Sequence, residues 1–447
     1  MATSSQAVPT DEGRRPLRAV MRVFFTLGDQ AIVSATSFLS GMIVAKATSK
    51  EQFGLYGLGF TIVLIATELQ SALISTPQTV FGPRYSGDRN SQFQGSMLLK
   101  LLMLAAFNVT ILLIGAALAQ TAGKHDIARM LAAIAVSVTS MHLGLFVRVT
   151  CFAHLNSIGA FFVDLATATL QLATLLTLWH YGVLEAWTAW LAIPLAAFPS
   201  AVVFLLFWRT HLRITRAGAK EDFHITWLQT RFVLVSSLMW ILGMHIYAWL
   251  IEFFADREGV AEWTACLAIA AVGNPLMYGM MNILGPQIAH RHQSLPSVAF
   301  RRYMWLASAA FFVVMAGFAV TVTVLADWLM LHIYTPEYVG HTAIVAMMAF
   351  GFAARVPGFV ASRGLFALNR ADLELLNNIA PLVVLAGLGI FLTYRYHVAG
   401  AAFCLLLAQV IGSITRLICF ESCMKAESQL RESAPTAPLA VTAGAQS

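Results

Sequence analysis

The sequence predicts an all-α polytopic membrane protein with about twelve transmembrane helices in two six-helix bundles. Of its 447 residues, 58% are hydrophobic and only 11% are charged, and the mean hydropathy is +0.73. A soluble domain carries roughly 25% charged residues, so a water-soluble fold could not hide this much apolar surface. Apolar runs of roughly 20 residues, enough to cross a hydrocarbon core about 30 Å thick, recur from near Val23 to near Phe420.

These runs define the predicted membrane spans. Helices are expected rather than barrel strands, because the runs are long and every backbone polar group inside a bilayer must be satisfied. Asn274-Pro275 predicts a break in the eighth span, since proline removes a backbone donor. The predicted spans are 23–45, 54–79, 96–119, 129–150, 158–180, 187–208, 232–254, 263–288, 303–326, 341–361, 375–394 and 398–420.

Basic residues predict the orientation of the spans. Lys and Arg near span ends are retained in the cytoplasm. With the N-terminus inside, the cytoplasmic segments hold about 20 basic residues and the opposite face holds about six. We therefore expect a multi-pass protein of the cell inner membrane with both termini cytoplasmic. The positive charge is explained by topology, and nothing supports a nucleic-acid partner.

An internal repeat supports a division of the chain into two halves. Phe152-Ala153 and Asp164 correspond to Phe366-Ala367 and Asn378, which lie 214 residues later. Six helices in each half match the parallel-repeat plan of many transporters. The predicted segments are a cytoplasmic N-terminal arm (1–22), a first six-helix bundle (23–208), a cytoplasmic linker (209–231), a second six-helix bundle (232–420) and a disordered cytoplasmic tail (421–447).

Motifs for bond chemistry are absent from the sequence. It contains no phosphate-binding glycine loop, HExxH helix or nucleophile elbow, and the spacing of its five cysteines does not indicate a metal site. We expect no catalytic residue, no metal and no cofactor, and the protein is not expected to be an enzyme. External loops of only about 5 to 15 residues count against a membrane polysaccharide polymerase.

Three carboxylates lie within predicted spans. They are Asp29 in the first span, Glu68 in the second and Asp164 in the fifth, where a polar stripe continues to Gln171. A buried charge in a bilayer costs a few kcal/mol or more, so it usually faces an aqueous cavity or a partner. The three carboxylates are candidate ion-coupling residues for H+ or Na+. The alternative is that these polar groups form hydrogen bonds between packed helices.

Several segments carry a family resemblance. They are Gly28-Asp29-Gln30, the run from Ser49 to Gly57, Gly82-Pro83 after the second span, Arg148 to Gln171, Asn282 with Gly285-Pro286, and Pro336-Glu337-Tyr338. Together they resemble the polysaccharide flippases of the MATE/MurJ-like (multidrug/oligosaccharidyl-lipid/polysaccharide) exporter superfamily. Thr335 departs from the pattern, because the family often has glycine there.

The resemblance implies two six-helix bundles around a central cavity that opens alternately to each side of the membrane. The implied cargo is an undecaprenyl-pyrophosphate-linked oligosaccharide, flipped across the inner membrane for O-antigen, capsule or exopolysaccharide assembly. The implied partners are this lipid-linked oligosaccharide, membrane lipid, and a polysaccharide polymerase with its export machinery.

Arginines are candidate ligands for the pyrophosphate. Arg355 lies deep in the tenth span, and the offset of the repeat makes Arg148 and Arg363 near-equivalent at the cytoplasmic mouth. Guanidinium groups bind phosphate oxygens bidentately, so we expect Arg355 to be the main anchor, Arg148 and Arg363 to guide entry, and Gln171 to contribute to substrate binding. For the two arginines at the mouth, the alternative role is interfacial anchoring.

A second function fits the same architecture. An ion-coupled exporter of small amphipathic cations would need carboxylates and aromatic rings in its cavity, whereas a pyrophosphate carrier would need basic groups. Asp29 in the first span keeps this alternative open. A membrane polysaccharide polymerase is the third and weakest alternative.

Overall fold

A computed structural model describes residues 15–433 except 155, 210, 211, 369 and 371. Within this part of the chain nearly every residue is helical and no strand occurs. The helices are α1 (Arg15–Ala47), α2 (Lys50–Gln70), α3 (Thr76–Phe81), α4 (Gly87–Thr121), α5 (His125–Ala153), α6 (Ser157–His180), α7 (Ala186–Trp208), α8 (Arg216–Phe254), α9 (Arg257–Ala271), α10 (Asn274–Ser294), α11 (Ser297–Val324), α12 (Ala326–Ile333), α13 (Thr342–Ala367), α14 (Asp372–Val384) and α15 (Ile390–Ser433).

The described helices make twelve membrane crossings. Eleven helical stretches are long and apolar enough to cross a membrane, and the last of them, Asp372–Glu427, has 56 residues. As a straight helix it would be about 84 Å long, nearly three times the thickness of a hydrocarbon core. The chain instead turns at His397, whose φ is 49° and ψ is −126°. A Cβ on Gly400 would clash with the Leu392 carbonyl oxygen, so the two arms touch beside the turn.

Two crossings contain breaks in regular helix geometry. The second crossing passes from α2 through a π-helical segment, Ser71–Ser75, into α3. The eighth crossing is split between α9 and α10, with Pro275 in the first turn of α10. The predicted break at Asn274-Pro275 is therefore confirmed.

The predicted linker is partly helical. Helix α8 begins at Arg216, so residues 216–231 of the predicted linker are continuous with the seventh crossing. Its first turns pack against α4, where Arg89 pairs with Asp222 and the Lys100 ammonium donates to the Thr226 hydroxyl over 3.1 Å. The proposed bundle boundaries remain a prediction.

The predicted disordered tail is wrong for residues 421–433, because α15 continues to Ser433. Ion pairs hold this last part of the helix against its neighbours: Glu421 pairs with Arg301, and Glu427 lies 3.3 Å from the His292 ring nitrogen. Residues 1–14 of the predicted arm and 434–447 of the tail lie outside the described residues.

The two bundles meet where α2 packs against α8 and α9. Small residues make this close approach possible. A Cβ on Gly54 would clash with the Arg257 carbonyl oxygen, and a Cβ on Gly57 would clash with the Thr264 hydroxyl. These two glycines therefore set the distance between the bundles.

Alternate loops of the chain gather at one face, as successive crossings require. The linking contacts are Lys46 Nζ to the His332 carbonyl oxygen (2.9 Å), Lys50 to Glu262 (3.3 Å), the Ala186 N–H to Gln52 (3.0 Å), and Arg257 to Asp126 (3.2 Å). We call this surface the α1–α2 face. The distribution of basic residues predicts that it lies on the side of the membrane opposite the cytoplasm.

Candidate functional site

A buried ionic cluster lies inside the first bundle. It joins Asp29 of α1, Arg148 of α5 and Asp164 of α6. The Arg148 guanidinium donates to Asp29 Oδ2 from Nε over 3.0 Å and from Nη2 over 2.6 Å. The same Nε lies 2.9 Å from Asp164 Oδ2. Asp29 is fully buried, and the Asp164 side chain is 14% exposed.

Close packing of α1 on α6 positions the two carboxylates. Gly28 faces the ring of Phe161, and a larger residue would meet that ring at 3.0 Å. The Thr26 hydroxyl donates to Ser157 over 3.2 Å, and two helical turns beyond Asp164 the Gln171 amide donates to the Ser40 hydroxyl over 3.0 Å. In this conformation Gln171 is thus part of the α1–α6 contact.

The charges in this cluster do not balance. Two carboxylates share one guanidinium, so the ionised cluster has one negative charge in excess. Asp29 Oδ1 accepts no hydrogen bond from the described residues. Asp164 Oδ2 accepts none either, because the Nε–H of Arg148 that lies near it points at Asp29 Oδ2. Buried acceptors are normally satisfied. Two unsatisfied oxygens beside an unbalanced charge are suited to accept a proton or a small cation.

Glu68 is separate from this cluster. It lies half-buried on α2 and, within the described part of the chain, makes no ion pair or side-chain hydrogen bond. Among all the residues that the structure describes, no group of three or more His, Cys, Asp or Glu side chains could hold a metal ion.

The three predicted substrate arginines do not converge. Arg148 is held by the two carboxylates of the first bundle. Arg355 is buried in the second bundle, where its guanidinium carbon lies 4.7–5.2 Å from the ring centroids of Trp240, Phe352 and Phe359. Arg363 is exposed on α13. In this conformation Arg355 is enclosed by aromatic rings instead of facing an open cavity.

Sequence reasoning missed a second ionic cluster, in the other bundle. Arg416 of α15 is buried and donates to Glu374 Oε1 over 3.0 Å and to Asn378 Oδ1 over 2.6 Å. Asn378 is the repeat counterpart of Asp164. An amide in place of a carboxylate leaves this cluster electrically neutral. The correspondence between Asp164 and Asn378 was the available sequence signal for this cluster.

A buried histidine in the first bundle was also missed. Nδ1 of His142 lies 2.6 Å from Gln70 Oε1, and Nε2 lies 2.9 Å from Asn108 Nδ2. An amide oxygen accepts and an amide nitrogen donates, so the ring is neutral with its proton on Nδ1. This network joins α2, α4 and α5 without adding charge.

Comparisons with known proteins identify the fold. No family model matches the sequence, and no curated protein sequence matches it. Among solved structures, an inward-facing multidrug resistance MATE family transporter of the MOP superfamily has a TM-score of 0.70 at 14% identity, covering 92% of this chain and 99% of that chain. An outward-facing MATE family transporter gives 0.64 at 14% identity, covering 92% and 96%.

A third similar structure is a MOP superfamily transporter from Pyrococcus furiosus, with a TM-score of 0.66 at 13% identity, covering 92% of this chain and 96% of that chain. These identities are low, but the likeness extends over nearly the whole of each chain. The predicted fold class is confirmed: this chain is an all-α membrane protein with twelve helices in two bundles around a central cavity, the fold of the MATE family transporters.

Proposed function

We propose that this protein is an alternating-access exporter of small amphipathic cations, driven by the entry of H+ or Na+ at the Asp29/Arg148/Asp164 cluster. The observation that carries the proposal is the pair of carboxylates, Asp29 and Asp164, that shares a single guanidinium inside the first bundle. Ionisable groups inside a bilayer are costly, and those that occur there usually have a function.

Coupling follows from the way Arg148 is shared. Uptake of one cation balances the two carboxylates, and its release restores the excess charge. The cluster ties α1, α5 and α6 together, so occupancy changes the free energy of any rearrangement of these helices. A ligand shifts a conformational equilibrium by the difference in its affinity for the two states, and this cluster supplies that difference.

The same charge favours a cationic cargo. An organic cation and the coupling ion would compete for the carboxylates of the first bundle, so that binding of one expels the other. The described similar structures include multidrug resistance transporters. This supports the cation exporter over the lipid-linked oligosaccharide flippase, whose expected anchor Arg355 is enclosed by aromatic rings.

The flippase remains the second candidate because of the sequence resemblance, which includes the Ser49 to Gly57 segment. The comparison with the Pyrococcus furiosus transporter is relevant here, since a reverse polarity of its binding pocket suggests a different function for that protein. One fold therefore accommodates different pocket polarities. In the flippase, Arg355 would become accessible in another conformation and bind the pyrophosphate bidentately.

Transport in proteoliposomes tests the proposal. We expect the purified protein to move ethidium against its gradient when an inward proton or sodium gradient is imposed. Asp29→Asn and Asp164→Asn keep the shape of the side chain but remove its charge, so each should abolish the response to the ion gradient. Asp88→Asn is the matched control, because Asp88 is exposed on α4. Unchanged ion dependence in both cluster variants would refute coupling at this site.

The cargo is tested in the same vesicles. Failure to move ethidium, with transfer of a fluorescent pyrophosphate-linked oligosaccharide lipid across the bilayer, would replace the cation exporter by the flippase. In that case Arg355→Ala should abolish lipid transfer, and Arg355→Lys should restore only part of it because lysine lacks the planar fork.

A further inference from the structure

The first turns of α8 have two faces of different character. The inner face packs on α4, where buried Asp222 pairs with Arg89 and the buried Thr226 hydroxyl accepts a hydrogen bond from Lys100 over 3.1 Å. The outer face is exposed, and its side chains recur at the three- and four-residue spacing that places them in one row along a helix. This row, which we call the α8 stripe, consists of Lys220, His224, Trp227, Leu228, Arg231 and Val235.

Polarity changes along the α8 stripe in the order expected at a membrane surface. The apolar crossing begins at Thr230, which puts Val235 within the hydrocarbon and Arg231 at its edge. Trp227 lies about 4.5 Å before Thr230 along the helix, at the depth of the headgroups, where tryptophan is enriched. Lys220 lies about 15 Å before Thr230, on the aqueous side. The stripe therefore extends through the whole headgroup layer.

Large apolar side chains of this region are exposed beside a cation. Trp227 is 48% exposed, Leu228 49% and Phe232 59%. The Arg231 guanidinium carbon lies 4.7 Å from the centre of the Phe232 ring, a cation–π contact that holds the charge at the edge of the apolar surface. Among the residues that the structure describes, Arg231 forms no ion pair. Its N–H groups are therefore free to bind an anion from outside the chain.

The charge of this segment favours an anionic partner. Residues 209–231 hold five basic and two acidic side chains. Of the two acids, Asp222 is paired with Arg89, and Glu221 is exposed next to Lys220. Guanidinium and ammonium groups bind phosphate oxygens, and basic clusters directly beside a transmembrane helix attract acidic phospholipids. The exposed rings indicate a phospholipid rather than soluble phosphate, because acyl chains would cover them.

We propose that the α8 stripe binds a phospholipid with an anionic headgroup. Arg231 binds the phosphate, while the acyl chains pack on Phe232 and Val235. Lys220 adds positive potential on the aqueous side. Because the stripe belongs to the predicted linker, the bound lipid holds the connection between the two bundles at the membrane surface. The site involves neither the cargo nor the Asp29 cluster.

Quenching of tryptophan fluorescence measures lipid contact at the stripe. The full chain is reconstituted in phosphatidylcholine vesicles that contain a minor fraction of phosphatidylglycerol with brominated acyl chains, which quench an indole at short range. The difference between the wild type and Trp227→Phe isolates the signal of Trp227. A basic residue near an anionic lipid favours binding by about fivefold, so brominated phosphatidylglycerol should associate about fivefold more strongly than brominated phosphatidylcholine at the same fraction.

Variants assign this preference to Arg231. Arg231→Gln should remove most of it, and Arg231→Lys should retain most of it, because the attraction depends on the charge. Arg395→Gln is the matched control. Arg395 also lies over an aromatic ring, 5.4 Å from the centre of Tyr396, but beside the turn at His397 on the α1–α2 face. Its loss should therefore leave the quenching of Trp227 unchanged.

Three results would overturn the proposal. The first is equal association of the two brominated lipids with the wild type, and the second is an unchanged preference in Arg231→Gln. The third is loss of the preference in inorganic phosphate but not in sodium chloride of the same ionic strength, because the stripe would then bind free phosphate. None of these results bears on ion coupling at the Asp29 cluster, so the two proposals can fail separately.

Discussion

Replacing Arg148 with methionine should destabilise the protein, because Asp29 and Asp164 in the first bundle lose their positively charged partner. The change removes two hydrogen bonds to Asp29 and the close contact with Asp164, while retaining much of the apolar volume of the side chain. Removing one partner of a buried ion pair costs about 3–5 kcal/mol, because the remaining charge is left uncompensated. At about 2.1 cal/mol/K per residue, the 447-residue chain should lose roughly 3–5 °C in its unfolding midpoint.

The loss of stability in Arg148→Met should depend on pH, and a second substitution should reverse it. Protonation of the carboxylates removes the uncompensated charge, so Arg148→Met should be less destabilised at pH 5 than at pH 8. Adding Asp29→Asn to Arg148→Met should restore most of the lost stability, because only Asp164 then remains to be neutralised. Thermal unfolding of all variants in one detergent gives the double-mutant comparison.

Arg213→Met is the control for this series. Arg213 and Asp88 form an ion pair in which the side chains are 60% and 86% exposed, and such pairs contribute about 0–1 kcal/mol. The midpoint should therefore shift by less than about 1 °C. Equal destabilisation by Arg148→Met and Arg213→Met, or no recovery with Asp29→Asn, would refute the burial argument.

Two further substitutions test the packing of the bundles. Gly54→Ala directs a methyl group at the Arg257 carbonyl oxygen, so it should cost about 1–3 kcal/mol of stability and lower the unfolding midpoint. The control is Gly41→Ala, whose methyl group meets no atom within 4 Å and should have little effect. Equal midpoints of the two variants would contradict the close approach of α2 and α9. His142→Leu removes the hydrogen-bond partner of Gln70 Oε1 and of Asn108 Nδ2. Each unsatisfied buried group should cost about 1–3 kcal/mol of stability, which thermal unfolding measures. Wild-type stability in this variant would show that the network is dispensable.

The sequence by itself determined the membrane class and the positions of the spans. The length of a hydrophobic run is a local property, and a run that matches the bilayer thickness forms a spanning helix, so twelve crossings could be counted from the apolar runs alone. The break at Asn274-Pro275 was equally local, because proline acts on its own backbone. Asp29 and Asp164 were recognisable one at a time, because a charge in a span is unusual wherever it points.

Only the tertiary structure decided which of these charges meet. Arg148 was expected to bind substrate, yet it pairs with two carboxylates, one 119 residues before it and one 16 residues after it. Lys50 likewise pairs with Glu262, which lies 212 residues away in the chain, at a distance set by Gly54 and by the crossing of α2 and α9. Ion pairing depends on separations of a few ångströms between helices, and span length and hydropathy specify only where each helix lies along the membrane normal, not which neighbour it faces.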